Sequence, residues 1–69
     1  MKVEILLREI MQKRKLTTRQ LEILSGVSRA TIGDIRKGSM PRIDTLLKLA
    51  KGLGIDIKDL YKIENDTEN

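Results

Sequence analysis

The feature that most constrains this chain is the separation of Gly26 and Ser28, two helix-punctuating residues with only Val27 between them. Gly26 supplies the permissive backbone position at which one helix ends, and Ser28 offers a side-chain oxygen to the free amides that open the next. A turn this short crosses the two helices steeply. The first of them opens at Thr17, with Gln20 three residues on completing a capping-box pattern, and runs to about Ser25. The second runs from Arg29 to about Lys37. It buries Ile32 and Ile35 beside Val27 and leaves Arg29, Ala30, Gly33, Asp34, Arg36 and Lys37 mostly outward.

The remaining apolar residues follow the same period. At about 100° per residue, Val3, Leu6, Leu7, Ile10 and Met11 share one face of a first helix that fades in Gln12-Lys13-Arg14-Lys15. Gly38 stops the third helix and Pro41 keeps the following loop non-helical. Ile43, Leu46, Leu47, Ala50 and Leu53 then recur at helical spacing in a fourth, whose end Gly52 and Gly54 mark. Asp56 and Asp59 bracket a further capping box before Leu60 and Tyr61, which gives a short fifth helix. The spacing predicts an all-α domain of five helices and no strand over residues 1–63, followed by a polar, disordered tail over 64–69.

Composition narrows what such a domain does. With 69 residues it buries only about 60% of the surface its unfolded chain exposes, too little to shape a large catalytic cleft. There is no cysteine and no histidine, so thiolate and imidazole metal sites and the commonest general base are absent together. Asp56 and Asp59 read as caps rather than paired catalytic carboxylates, and the isolated Gly52 and Gly54 form no phosphate-cradling loop. No enzyme activity, metal or cofactor is expected. Tyr61 is the sole aromatic residue, which removes the stacking platforms of single-stranded nucleic-acid binders. The net charge of +4 is uneven: residues 1–42 hold 10 basic and 4 acidic side chains, whereas 43–69 hold 4 and 6. That asymmetry points the first two-thirds of the chain toward a polyanion. No apolar run nears the roughly 18 residues of a membrane span, and the expected location is the cytoplasm.

The stretch from Leu16 to Gly38 resembles the helix-turn-helix of the Cro and phage-repressor family, also called the XRE family. Shared are a Leu-Thr opening, Leu21 in the second helix, Gly26-Val27-Ser28 at the turn, Ile32 in the third helix and the closing Gly38. Downstream, Pro41 and Ile43 to Lys51 look like the family's fourth helix, and Asp56 to Tyr61 like its short fifth. The resemblance implies a compact repressor-like domain whose second and third helices form the motif, with the third entering the major groove of double-stranded DNA, about 12 Å wide.

By position in the family, Ser28, Arg29, Ala30 and Asp34 are the implied base contacts. Arg29 suits the two acceptors of guanine, and Ala30 offers a methyl to thymine or simply favours the helix. Asp34 either accepts from cytosine N4 or has a structural role. Thr17, Thr18 and Arg19 at the start of the second helix are the implied phosphate contacts, with Lys37, Ser39 and Arg42 around the loop. Lys13, Arg14 and Lys15 read as a solvated helix end. The sequence departs from the family at Glu22, where a small residue is usual, and at Met11 and Arg36, where the family often places an Arg–Glu pair. Arg36 is therefore expected to turn toward Glu22 or Glu9, and Arg42 stands where a polar cap is usual before the fourth helix.

These features predict a sequence-specific regulator, a repressor, that occupies a near-palindromic operator as a homodimer. Ile55, Ile57, Leu60, Tyr61 and Ile63 are the candidate dimer interface, with Leu60 and Ile57 equally suited to closing the monomer core. The alternative is an antitoxin-like module whose main partner is another protein and whose DNA binding is autoregulatory. An exposed aliphatic patch of Ile5, Ile23, Ile55, Ile57 and Ile63 would favour it.

Overall fold

The structure is a computed structural model and describes residues 1–65. Its elements in chain order are strand β1 (Lys2–Ile5), helices α1 (Leu7–Arg14), α2 (Thr18–Ser25), α3 (Arg29–Arg36) and α4 (Ile43–Leu53), a 3₁₀ turn (Ile57–Asp59) and strand β2 (Tyr61–Glu64). The expectation of five helices and no strand is thus corrected to four α-helices, one 3₁₀ turn and a two-stranded antiparallel sheet among the described residues. Among the described residues no helix is long and apolar enough to cross a membrane.

The segments at 2–5 and 61–64 follow a period of two, not the expected helical one. Val3 and Ile5 alternate with Lys2 and Glu4, and Tyr61 and Ile63 alternate with Lys62 and Glu64, so two short segments each present an apolar and a charged face. They pair with Lys2 opposite Glu64, Val3 opposite Ile63, Glu4 opposite Lys62 and Ile5 opposite Tyr61. On the charged face Lys62 Nζ lies 3.6 Å from Glu4 Oε1 and 3.7 Å from Glu64 Oε2. The Leu6 amide then donates to the Leu60 carbonyl at 2.7 Å, which carries the pairing into the core. The fifth helix shrinks to a single turn in which Asp56 makes no side-chain cap. Glu64, expected in the polar tail, is the last residue of β2, and positions 66–69 lie outside the described residues.

The core is aliphatic. Leu7, Met11, Leu21, Ile32, Leu49 and Leu60 are fully buried, and Val27, Ile35, Leu46, Ala50 and Leu53 complete the cluster. Each fully buried Leu or Ile stabilises the fold by about 1.5–3 kcal/mol relative to exposure. Two residues expected on the inner stripe of the fourth helix lie outside it: Ile43 and Leu47 are 66% and 52% exposed, and Leu49 takes the buried place.

Gly52 also differs from the expectation. It stands inside α4 rather than at its end, and Gly54, with φ of +71°, is the left-handed cap. A Cβ on Gly52 would meet Ser25 Cα at 2.8 Å and the Leu24 carbonyl carbon and oxygen at 2.9 Å. All three are backbone atoms, which cannot swing aside. Gly52 therefore sets how closely α4 approaches the end of α2, whereas a Cβ on Gly33, also mid-helix, would meet nothing within 4 Å. Gly52→Ala should accordingly destabilise the protein by about 1–3 kcal/mol through overpacking. Gly33→Ala should stabilise it by about 0.5–1 kcal/mol through backbone entropy. Urea unfolding midpoints of the two variants check the opposite signs.

Candidate nucleic-acid interface

The helix pair α2–α3 is locked at each point where its backbone leaves the helical path. Thr17 Oγ1 accepts from the Gln20 amide at 3.1 Å and Gln20 Oε1 accepts from the Thr17 amide at 2.8 Å, so the capping box read from the sequence is complete. Gly26 adopts φ of +77° and its amide returns to the Glu22 carbonyl at 2.8 Å. Ser25 bridges the turn: its hydroxyl donates to the Leu21 carbonyl at 2.7 Å and accepts from the Val27 amide at 3.1 Å. Val27 is buried and anchors the turn from below. Ser28 Oγ accepts from the Thr31 amide at 3.2 Å and donates to Thr31 Oγ1 at 2.9 Å.

Two further contacts tie α3 across to α2. Arg36 Nη1 donates to Thr18 Oγ1 at 3.2 Å, and Arg29 Nε lies 3.2 Å from Glu22 Oε1. The expectation that Arg36 turns to Glu22 or Glu9 is corrected: Arg36 reaches the hydroxyl at the start of α2, and Glu22 pairs with Arg29. The carboxylate of Glu22 is also not sunk between the helices, because its side chain is 37% exposed. Arg19, Arg29, Arg36, Lys37 and Arg42 are all exposed. Through its bond to Thr18, Arg36 stands beside the N-terminus of α2, whose first amides favour anions.

A capped helix pair joined through Gly26, Val27 and Ser28, with Arg29 and Arg36 exposed on the second helix, is the arrangement that presents a helix to a DNA groove. The family model for the Cro/C1-type HTH DNA-binding domain matches residues 6–66. The chain belongs to the Cro/C1-type helix-turn-helix DNA-binding family. Over 56 residues it is 43% identical to the uncharacterised HTH-type transcriptional regulator RghRB of Bacillus subtilis (strain 168), a match covering 78% of this chain and 40% of that regulator. The chain thus spans well under half the length of that relative. No solved structure matches it.

Within this helix-turn-helix, the implied base contacts Ser28, Arg29, Ala30 and Asp34 all lie exposed on the N-terminal two turns of α3 or its cap. The Ser28 hydroxyl is engaged in both directions by Thr31, so it acts first as a cap. Thr17 and Arg19 are exposed and Thr18 is half-buried beneath Arg36. Lys37 and Ser39 lie exposed where α3 ends, the Ser39 amide donating to the Asp34 carbonyl at 2.9 Å. Arg42 precedes α4 with no side-chain cap and instead has Nε 3.3 Å from Asp44 Oδ1, while Asp44 accepts from the Thr45 amide at 2.9 Å.

Arg14 is not a purely solvated helix end: its Nη1 donates to the Leu53 carbonyl at 2.6 Å, satisfying the C-terminus of α4. Of the candidate dimer residues, Leu60 is fully buried in the core, Ile55 and Ile57 pack half-buried against it, Tyr61 is half-buried on β2, and Ile63 is 55% exposed. The aliphatic patch considered with them does not assemble on the surface, because Ile5, Ile55 and Ile57 face the core.

Sequence reasoning missed Ser25, Thr31 and the partners of Arg36 and Arg29. Ser25 and Thr31 carry a local signal, a hydroxyl residue beside each helix end; the two cross-helix partners need the crossing geometry. Removing the Thr17 cap should lower stability by about 1 kcal/mol in Thr17→Ala. Gln20→Ala, which keeps the hydroxyl acceptor, should cost less, and thermal unfolding of the two variants ranks them.

Proposed function

We propose that this chain is a sequence-specific transcriptional regulator that lays α3 in the major groove of double-stranded DNA and represses by occupying a near-palindromic operator as a homodimer. The observation that carries the reading is the outward face of α3. Arg29, Ala30, Gly33, Asp34 and Lys37 lie on it, while Ile32 and Ile35 hold the opposite face in the core. Regulation, as opposed to DNA binding alone, is supported by the similarity to the HTH-type regulator RghRB over their shared segment.

Each side chain then has a role. Arg29 reads guanine through O6 and N7, Ala30 packs against a thymine methyl, and Asp34 accepts from cytosine N4. Ser28 caps α3 and contacts the groove edge. Thr17, Thr18 and Arg19 clamp a phosphate at the α2 N-terminus, with Arg36 beside them, and Lys37, Ser39 and Arg42 clamp phosphates from the α3–α4 loop. No catalytic step is involved.

The second copy binds at the C-terminal strand. Leu60 pairs in hydrogen-bonded register with Leu6, so alternation turns the backbone N–H and C=O groups of Tyr61 and Ile63 away from β1. Tyr61 and Ile63 supply the interface, with Leu60, Ile55 and Ile57 supporting it from the core side. Half-site centres then lie about 34 Å apart along the DNA.

The experiment compares Arg29→Ala with Lys37→Ala on a selected duplex and on unrelated DNA over a salt series. Arg29→Ala should cost about 1–3 kcal/mol and relax preference at one base pair per half-site. Lys37→Ala should weaken binding to all sequences alike and reduce the slope of log affinity against log salt by about 0.9 per lost contact. Equal losses on both DNAs for Arg29→Ala would make Arg29 a phosphate clamp. Sedimentation of a single protomer both free and on the selected duplex would remove the dimer.

A further inference from the structure

We infer that Glu22 is a specificity-determining residue, a positioning carboxylate that holds Arg29 in the orientation in which it reads guanine. The inference rests on the reading of Arg29 as a base contact.

Glu22 lies in α2 and Arg29 is the first residue of α3, and the turn between them is fixed by Gly26, Ser25 and Ser28. The two partners therefore face each other across a rigid frame rather than a flexible loop. Glu22 takes the Nε side of the guanidinium, at 3.2 Å. That leaves the terminal Nη1 and Nη2 groups side by side, the pair of donors that matches O6 and N7 of guanine. The Arg29 side chain remains 66% exposed, so its fork is open to a ligand although its stem is held.

The contact has little use as a stabiliser, since exposed ion pairs contribute next to nothing to folding. Its consequence falls on binding. An arginine oriented before DNA arrives has fewer rotamers to lose on docking. The carboxylate also penalises wrong partners. Near phosphates it is repulsive, and a base that draws Arg29 out of its pairing leaves Glu22 facing the groove uncompensated. Discrimination thus comes from an attractive guanidinium and a repulsive carboxylate acting as one unit.

The test uses the full chain and a duplex selected by it from random-sequence DNA. The readout is the affinity ratio between that duplex and the same duplex with the guanine pair exchanged, for Arg29→Ala, Glu22→Ala, Glu22→Gln and the double variant Glu22→Ala/Arg29→Ala. Arg29→Ala should lower the ratio about fivefold or more. Glu22→Ala should lower it in the same direction while tightening binding to unrelated DNA, because a repulsive charge is gone. Glu22→Gln, which keeps the side-chain shape but loses the charge of the ion pair, should fall between the parent and Glu22→Ala. The double variant should match Arg29→Ala alone, which marks Glu22 as acting through Arg29.

A ratio that falls in Arg29→Ala and stays unchanged in Glu22→Ala overturns the inference and leaves the reading of Arg29 intact. A ratio unchanged in Arg29→Ala overturns both. Independent, multiplying losses in the double variant also overturn the inference, because Glu22 would then contact DNA itself. Thermal unfolding within a degree or two of the parent for both Glu22 variants separates these outcomes from loss of fold.

Discussion

At Gly52 the backbone of α4 lies directly against the backbone at the end of α2, and the placement of α3 depends on that contact. With no side chain at that point, the α4 backbone reaches the backbone of Leu24 and Ser25, where any Cβ would fall within 2.9 Å of main-chain atoms. α2 is braced along α4, its C-terminal end is fixed in space, and the turn through Gly26 starts from a defined place. The apolar anchors of α3 can then be few, Ile32 and Ile35 with Val27 in the turn before it. A narrower apolar stripe leaves a wider outward face.

The polar contacts complete what that packing begins. Ser25 spans the turn, Thr17 and Ser28 cap the two helices, and Thr18–Arg36 and Glu22–Arg29 cross from one helix to the other. None of these is a strong stabiliser on its own, for all are exposed or partly so. Their joint effect is orientation. Arg36 and Arg29 are drawn across toward α2, in the part of the chain where the positive charge is concentrated. The sheet, by contrast, joins the two ends of the domain and carries its own balanced charges, Lys62 between Glu4 and Glu64.

How much of this was legible follows from the range of each interaction. Gly26, Val27 and Ser28 are adjacent, and Thr17 and Gln20 are one helical turn apart, so the motif and its caps could be read locally. Ile32 and Ile35 fix the inner face of α3, and with it the outward residues. The sheet was not legible, because Val3 also continues the helical spacing of Leu6, Leu7 and Ile10, four residues are too few to establish an alternation, and the pairing partners lie some sixty residues apart in the chain. Gly52 looked like a helix end because the sequence shows only a missing side chain, not the backbone that fills the space. Arg36 and Glu22 were singled out as departures from the family pattern, yet their partners, Thr18 and Arg29, depend on the crossing angle of α2 and α3. The buried state of Leu60 follows from the return of the chain to Leu6, another long-range contact.

The central claim is that the surface running from the α2 N-terminus along α3 is where double-stranded DNA binds. Backbone amide chemical shifts of the isotope-labelled chain, followed during titration with duplex DNA, test it most directly. The account predicts that the largest changes fall at residues 17–19 and 28–37, with β1, the 3₁₀ turn and the middle of α4 nearly unmoved by the DNA itself. Large shifts confined to β1 and β2, with α3 unmoved, would contradict it.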